Sequence, residues 1–196
     1  YWVNEPNGTP VFKINQPVDP GMVEVLRRYI IPRLKADIPN QPTQAELDAD
    51  PTLPRFTIVF DREGYSPALF KELWEKQHIA CQTYRKGDYE PWDLDLFQPC
   101  QITLKNGQKV TWELAELGVL LGSKPHEQSR VREVRKLSDK GHQTAVISTN
   151  FKRSMEEVAA SQFGRWSQEN FFRYASQSFD LDRLVDYQLV VRFIKK

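Results

Sequence analysis

Apolar residues along this chain change their spacing several times, and each change marks an element. Tyr1 to Val3 and Val11 to Ile14 flank a polar Asn-Glu-Pro-Asn-Gly stretch, which predicts a hairpin bending at Asn7-Gly8. Met22, Val25, Leu26 and Tyr29 then recur at helical spacing, so a helix is expected from about 20 to 36. Pro39, Pro42, Pro51 and Pro54, with Glu46, Asp48 and Asp50 between them, read as an acidic, solvated connection holding at most a short helix at QAELDAD. Phe56 to Phe60 is apolar at every position but Thr57, the pattern of a central strand covered on both faces, and it stops on Asp61. Ser66 is an N-cap and Pro67 suits a first helical position, so PALFKELWEKQH is a helix, with IACQTYRK as the next strand. A strand, helix, strand unit favours a parallel pair with a right-handed crossover.

Two hairpins are expected next. QITLKNGQKVTWEL turns at Asn106-Gly107 and VREVRKLSDKGHQTAVIST turns at Asp139-Lys140-Gly141. Ser154-Met155-Glu156-Glu157 is a capping-box pattern opening a long helical stretch that bends near Gly164. The expected division is a first core part at 1–92, a β-rich insertion at 93–150 and a C-terminal helical part at 151–196.

Composition narrows the classes. With 196 residues, 40% hydrophobic and 12% aromatic, the chain can bury a sizeable core. The formal net charge is only +1, so an anionic partner must be met by a local cluster. One such cluster lies between Lys124 and His142, where six basic residues stand against three acidic ones. Its members Arg130, Arg132, Arg135, Lys136 and Lys140 line either a solvated hairpin face or a phosphate-contacting surface. Cys81 and Cys100 are too few for a disulfide framework, and three scattered histidines give no zinc pattern, so an intracellular setting is the simplest fit. No apolar run approaches a membrane span, and the opening on Tyr1 inside a hairpin suggests a piece of a longer protein. The phosphate loop GxxxxGK[ST], the dinucleotide fingerprint GxGxxG and the nucleophile elbow GxSxG are all missing.

Two carboxylates stand out. Asp61 ends a core strand at the rim where open α/β sheets place their sites, although aspartates also follow strands as turn residues. Glu169 lies one helical turn after Arg165 and one before Arg173. That spacing is also a surface ion-pair ladder, but Phe163, Trp166, Phe171, Phe172 and Tyr174 crowd the same segment and argue for partial packing.

FDREGYSP at a strand end, a strand ending VISTN at 146–150, and RWSQENFF on a helix resemble the DDE transposases of bacterial insertion sequences. YWVNEPNGTPVF, PVDPGMVEVLRRYIIPRL and FDREGYSPALFKELWE resemble a set of transposase-like proteins over most of the chain. The resemblance implies an α/β fold, an RNase H-like mixed sheet flanked by helices, with a β-rich insertion before the last core helix. It implies Asp61 as the second and Glu169 as the third acidic residue, with 107 residues between them, both holding Mg2+ (or Mn2+). Arg165 and Arg173 would support Glu169 or contact phosphates. The first acidic residue is expected upstream of Tyr1, leaving this stretch inactive by itself, because Asp19-Pro20-Gly21 reads as a turn before a helix. In many such enzymes the helix motif is Tyr-x-x-Arg-x-x-x-Glu-x-x-x-x-x-x-Lys; here Gln162 and Ser176 stand at its first and last positions.

The implied activity is metal-dependent cleavage and strand transfer of DNA, with transposon ends and target as partners. A homodimer within a DNA complex and a bacterial, nucleoid-associated cytoplasmic location are part of that expectation. Trp92 and Trp112 are either core fillers or platforms for an unstacked base. Two alternatives carry different functions: a transposase-derived protein that binds DNA without cutting it, and a metal-dependent nuclease on the same fold.

Overall fold

In a computed structural model the described residues are 1–6, 9–15, 21–104 and 107–164. Strands β1 (Trp2–Asn4) and β2 (Pro10–Lys13) form the first hairpin, with Val3 opposite Phe12 and a bulge between Val3 and Asn4. The expected Asn7-Gly8 bend lies outside the described residues.

Helices α1 (Met22–Val25) and α2 (Ile31–Asp37) are joined without a break by a π-helical turn, Leu26–Ile30. Pro32 supplies the reason: it has no N–H to give the carbonyl four residues back, and its ring would crowd that carbonyl in a regular helix. The wider turn moves the inward face by one residue. Ile30 is therefore buried after Leu26, and Tyr29, expected on that face from 3.6-residue spacing, is 38% exposed.

Helix α3 (Gln44–Ala49) is closed by a capping box in which Thr43 and Glu46 satisfy each other's backbone N–H groups. Leu47 is fully buried, and Asp50 pairs with Lys152 at 2.6 Å, so this acidic connection is anchored to the body at two points.

Strand β3 (Phe56–Val59) runs parallel to β4 (Ile79–Tyr84), and α4 (Pro67–Gln77) connects them. The Ser66 hydroxyl accepts from the Leu69 N–H at 3.3 Å, with Pro67 in the first turn, as the sequence predicts. His78 ends the helix in the left-handed conformation, which lets its own N–H return to the helix.

Strands β5 (Gln98–Thr103), β6 (Lys109–Leu121), β7 (Ser129–Leu137) and β8 (Gln143–Ser148) follow. All join one sheet with the parallel pair, in the order β3-β4-β8-β7-β6-β5. The link is antiparallel pairing of β4 with β8, which sets Gln82 opposite Ser148 and Tyr84 opposite Val146. Gly141 takes a left-handed φ of 77° in the β7–β8 turn, a conformation that favours glycine.

Alternation along these strands gives the sheet two buried faces. One packs Ile58, Phe60, Ile79, Cys81, Val131 and Ile147 against α1, α2 and α4. The other packs Ile102, Leu114, Val134 and Val146 against α5 (Met155–Phe163) through Val158 and Ala159. The architecture is thus a mixed α/β one, a six-stranded mixed sheet flanked by helices and consistent with an RNase H-like fold. Ser154 and Glu157 form the capping box that their spacing predicts at the start of α5.

Candidate active-site rim

The last ladder bond of β3 is donated by the Phe60 N–H to the Gln82 carbonyl at 3.0 Å, so Asp61 is the first residue past the paired strand. It stays extended (φ −77°, ψ 167°) and exposed, and its Oδ1 accepts from the Arg62 N–H at 2.6 Å. A short 3-10 turn, Arg62–Gly64, then folds back over Phe60. Gly64 is buried there, and the position needs glycine because a Cβ would lie 2.5 Å from the Phe60 ring. The sequence FDREG thereby puts a carboxylate at a rigid, solvent-open strand end.

The C-terminal turn of α5 lies against this rim. Gln162, fully buried, donates from Nε2 to the Phe60 carbonyl at 3.4 Å, immediately before Asp61. Gln82, also fully buried, donates to the Val158 carbonyl at 3.0 Å and to Ser161 Oγ at 2.8 Å, and its own Oε1 accepts from Ser161 Oγ at 3.1 Å. The Tyr84 hydroxyl donates to the Gln162 carbonyl at 3.3 Å. Buried amides hold a position only when such partners are present, so the network sets where α5 ends relative to β3 and β4.

Beside β4, a second polar cluster is enclosed on the opposite face. Glu133, with no exposed surface, is bonded by Arg85 NH1 through Oε2 and by Arg135 Nε through Oε1, the latter at 2.6 Å. Arg135 is 1% exposed; its NH1 also donates to the Glu90 carbonyl and to Gln143 Oε1, and its guanidinium stacks on Trp92 at 4.0 Å and Tyr89 at 4.6 Å.

With this geometry in place, sequence comparison identifies the lineage: the profile of the family described as Transposase protein matches residues 1–192. The chain belongs to this transposase family. Comparison with curated proteins and with solved structures returns no match. Family membership gives the protein a role in DNA transposition and makes DNA its partner. Among the described residues no helix is long and apolar enough to cross a membrane.

The residues a transposase of the expected type would use fall into three groups. Asp61 is at the rim as described. Glu169, Arg165 and Arg173 lie outside the described residues, and among those described no cluster of three His, Cys, Asp or Glu side chains forms a metal-binding group. The basic cluster is split by the strand pattern of β7. Arg130 and Lys140 are exposed. Arg132 makes a two-pronged pair with Glu116 at 2.6 and 2.7 Å and donates to the Asn150 and Arg153 carbonyls, tying β6 and β7 to the entry of α5. Lys136 lies over Trp112 at 4.0 Å, and its pKa is pushed down by burial, with Asp139 opposing. Trp92 and Trp112 are both half-buried against these cations.

Sequence reasoning did not single out Gln82, Ser161, Arg85, Glu133 or Asn150. Asn150 Nδ2 donates to Thr57 Oγ1 on β3 at 2.8 Å, while its Oδ1 accepts from the Lys152 and Arg153 N–H groups. The available signal was Gln82-Thr83 in the middle of the apolar IACQTY, where a polar pair in a covered strand requires partners.

Proposed function

We propose that this chain carries the second and third acidic residues of a DDE-type transposase core, Asp61 and Glu169, and that they act together on DNA phosphodiesters. The observation that carries the reading is the bond from Gln162 to the Phe60 carbonyl at 3.4 Å. It brings the end of the helix that precedes Glu169 in sequence to the residue before Asp61.

Asp61 suits a hard divalent cation: it is exposed, sits at a strand end, and among the described residues only its Oδ1 is hydrogen-bonded. Two Mg2+ (or Mn2+) ions, when bound, activate the attacking oxygen and stabilise the leaving one. The chain's own part is positional. Asp61 holds its carboxylate on a strand that cannot shift without breaking the Phe60–Gln82 bond. Glu169 completes the pair, with Arg165 and Arg173 orienting it or meeting a phosphate. Arg130 and Lys140 contact DNA phosphates farther out, while Arg132, Arg135 and Lys136 keep the strands below them in register. Residues 93–150 serve as the β-rich elaboration of the core, and two copies act on paired transposon ends at the bacterial nucleoid.

The test is cleavage and strand transfer by the full-length protein carrying Asp61→Asn or Glu169→Gln. Each should lose activity on the order of a thousandfold, the several kcal/mol that a metal ligand supplies at the transition state. Undiminished strand transfer by either variant removes the reading. Cleavage without joining would indicate a nuclease, and metal-independent DNA binding without any product a binding protein.

A further inference from the structure

The buried Arg85–Glu133–Arg135 cluster contains two cations and one anion. Glu133 is fully enclosed and shares its two carboxylate oxygens between the arginines. Arg135 is spent inside the fold, bonded to Glu133, a main-chain carbonyl and an amide, and stacked on two aromatic rings. One positive charge is left over, and it belongs to Arg85. The Arg85 side chain is 23% exposed, and among the described residues only its NH1 is hydrogen-bonded, to Glu133.

Arg85 directly follows β4, and its N–H donates to the Ala145 carbonyl at 2.9 Å. In the parallel register Val59 faces Gln82, so the strands leave the sheet side by side, one toward Asp61 and the other toward Arg85. Tyr65, four residues past Asp61, lies within electrostatic reach of this cluster. Its pKa is raised chiefly by burial, but it also feels the charge of Arg85, which lowers it, and of Glu133, which raises it. The guanidinium is held in orientation by Glu133 and by the Tyr89 ring at 5.1 Å.

We propose that Arg85 is a DNA-phosphate contact at the carboxyl rim of β4, its guanidinium aimed by Glu133 and Tyr89. A planar fork with free donors and an uncompensated charge, fixed in place before the ligand arrives, suits a phosphodiester oxygen better than a mobile surface lysine does. Arg85 leaves the same rim as Asp61 but on the face opposite α5, so the phosphate it meets is a neighbouring one, and the inference rests on the reading of Asp61 as part of the reacting site.

The experiment is titration of a short fluorescent DNA duplex of arbitrary sequence with the full-length protein over a range of salt concentrations. Arg85→Ala should weaken binding roughly ten- to a hundredfold, the loss expected for one charge-assisted bond. It should also reduce the slope of log K against log salt by about 0.9, one phosphate's counterions. Arg28→Ala, which removes an exposed arginine from the π-helical turn, should leave both unchanged. An Arg85→Ala protein that melts normally with unaltered slope overturns the proposal. Should that variant fail to fold, unmodified protein decides. DNA should protect Arg85 from hydroxyphenylglyoxal, and equal modification with and without DNA overturns the assignment. Asp61→Asn, read by strand transfer, separates the two ideas: an inactive Asp61 variant beside a silent Arg85 variant sinks only the phosphate contact, and the reverse pattern sinks only the metal site.

Discussion

Replacing Glu133 by glutamine tests whether the enclosed charge cluster stabilises the sheet as its geometry requires. Glu133 has no exposed surface and sits between Arg85 and Arg135, which is itself 1% exposed. An amide of the same shape keeps one acceptor but turns an NH2 toward a guanidinium, so a donor meets a donor. It also leaves two arginines without a counter-charge, one of them buried. Breaking a buried pair from one side costs about 3–5 kcal/mol, most of it the desolvated partner left behind. For a protein of this size each kcal/mol lowers Tm by roughly 2–4 °C, so a fall on the order of 10 °C is expected. Urea unfolding followed by circular dichroism measures it directly, with the midpoint falling and m unchanged. An exposed pair provides the scale: Glu24→Gln, which loses contacts to Arg27 and Arg28 on the helix surface, should cost no more than about 0.5 kcal/mol per pair. A Glu133→Gln protein within about 1 kcal/mol of the unaltered one would refute the argument.

Four further outcomes follow from other parts of the structure. Gln82→Leu removes the partner of Ser161 and Gln162 and should destabilise by about 1–3 kcal/mol in urea unfolding, with a loss of strand transfer exceeding the loss of folded protein. Gly64→Ala forces a methyl against the Phe60 ring and should cost about 1–3 kcal/mol in the same assay, the range for overpacking. Asp50 has its pKa lowered to about 2 by hydrogen bonds from Lys152, then Thr52; the unfolded value is about 3.9, so its contribution is present above pH 4 and is lost as pH falls toward 2. The stability gap between unaltered protein and Asp50→Asn should therefore shrink over that window, as urea midpoints at stepped pH would record. Burial pushes the Cys81 thiol pKa strongly up and raises that of Cys100, with Glu156 and Glu113 adding to the latter, so neither should react with a thiol reagent until denaturant is added.

Features encoded within a few residues were legible in the sequence. The end of β3 at Asp61, the Ser66-Pro67 helix start and the Ser154–Glu157 capping box each depend on contacts no more than a turn away. What was not legible depends on chain segments far apart. Periodicity places Tyr29 inward, but Pro32 opens a π turn and Ile30 takes that position. The two hairpins are visible, yet their entry into the main sheet rests on Gln82 meeting Ser148, a pairing across 66 positions that no local pattern announces. In VREVRKL the charged positions read as a wet strand face. Only the strap that follows β4, with Tyr89 and Trp92, closes over Glu133 and Arg135 and turns two surface-like residues into interior ones. At the candidate site the same division holds: Asp61 could be named from FDREG, whereas its approach by Gln162 requires α5 to cross the sheet.

The most direct test of the central claim is a crystal of the full-length protein bound to a transposon-end duplex, soaked in Mn2+ and measured for anomalous scattering. The account predicts two manganese peaks about 4 Å apart, with oxygens of both Asp61 and Glu169 at roughly 2.1–2.2 Å from them. Manganese bound elsewhere, with Asp61 holding only the Arg62 N–H and Glu169 on a different face of the sheet, would contradict it and return Asp61 to the role of a turn cap.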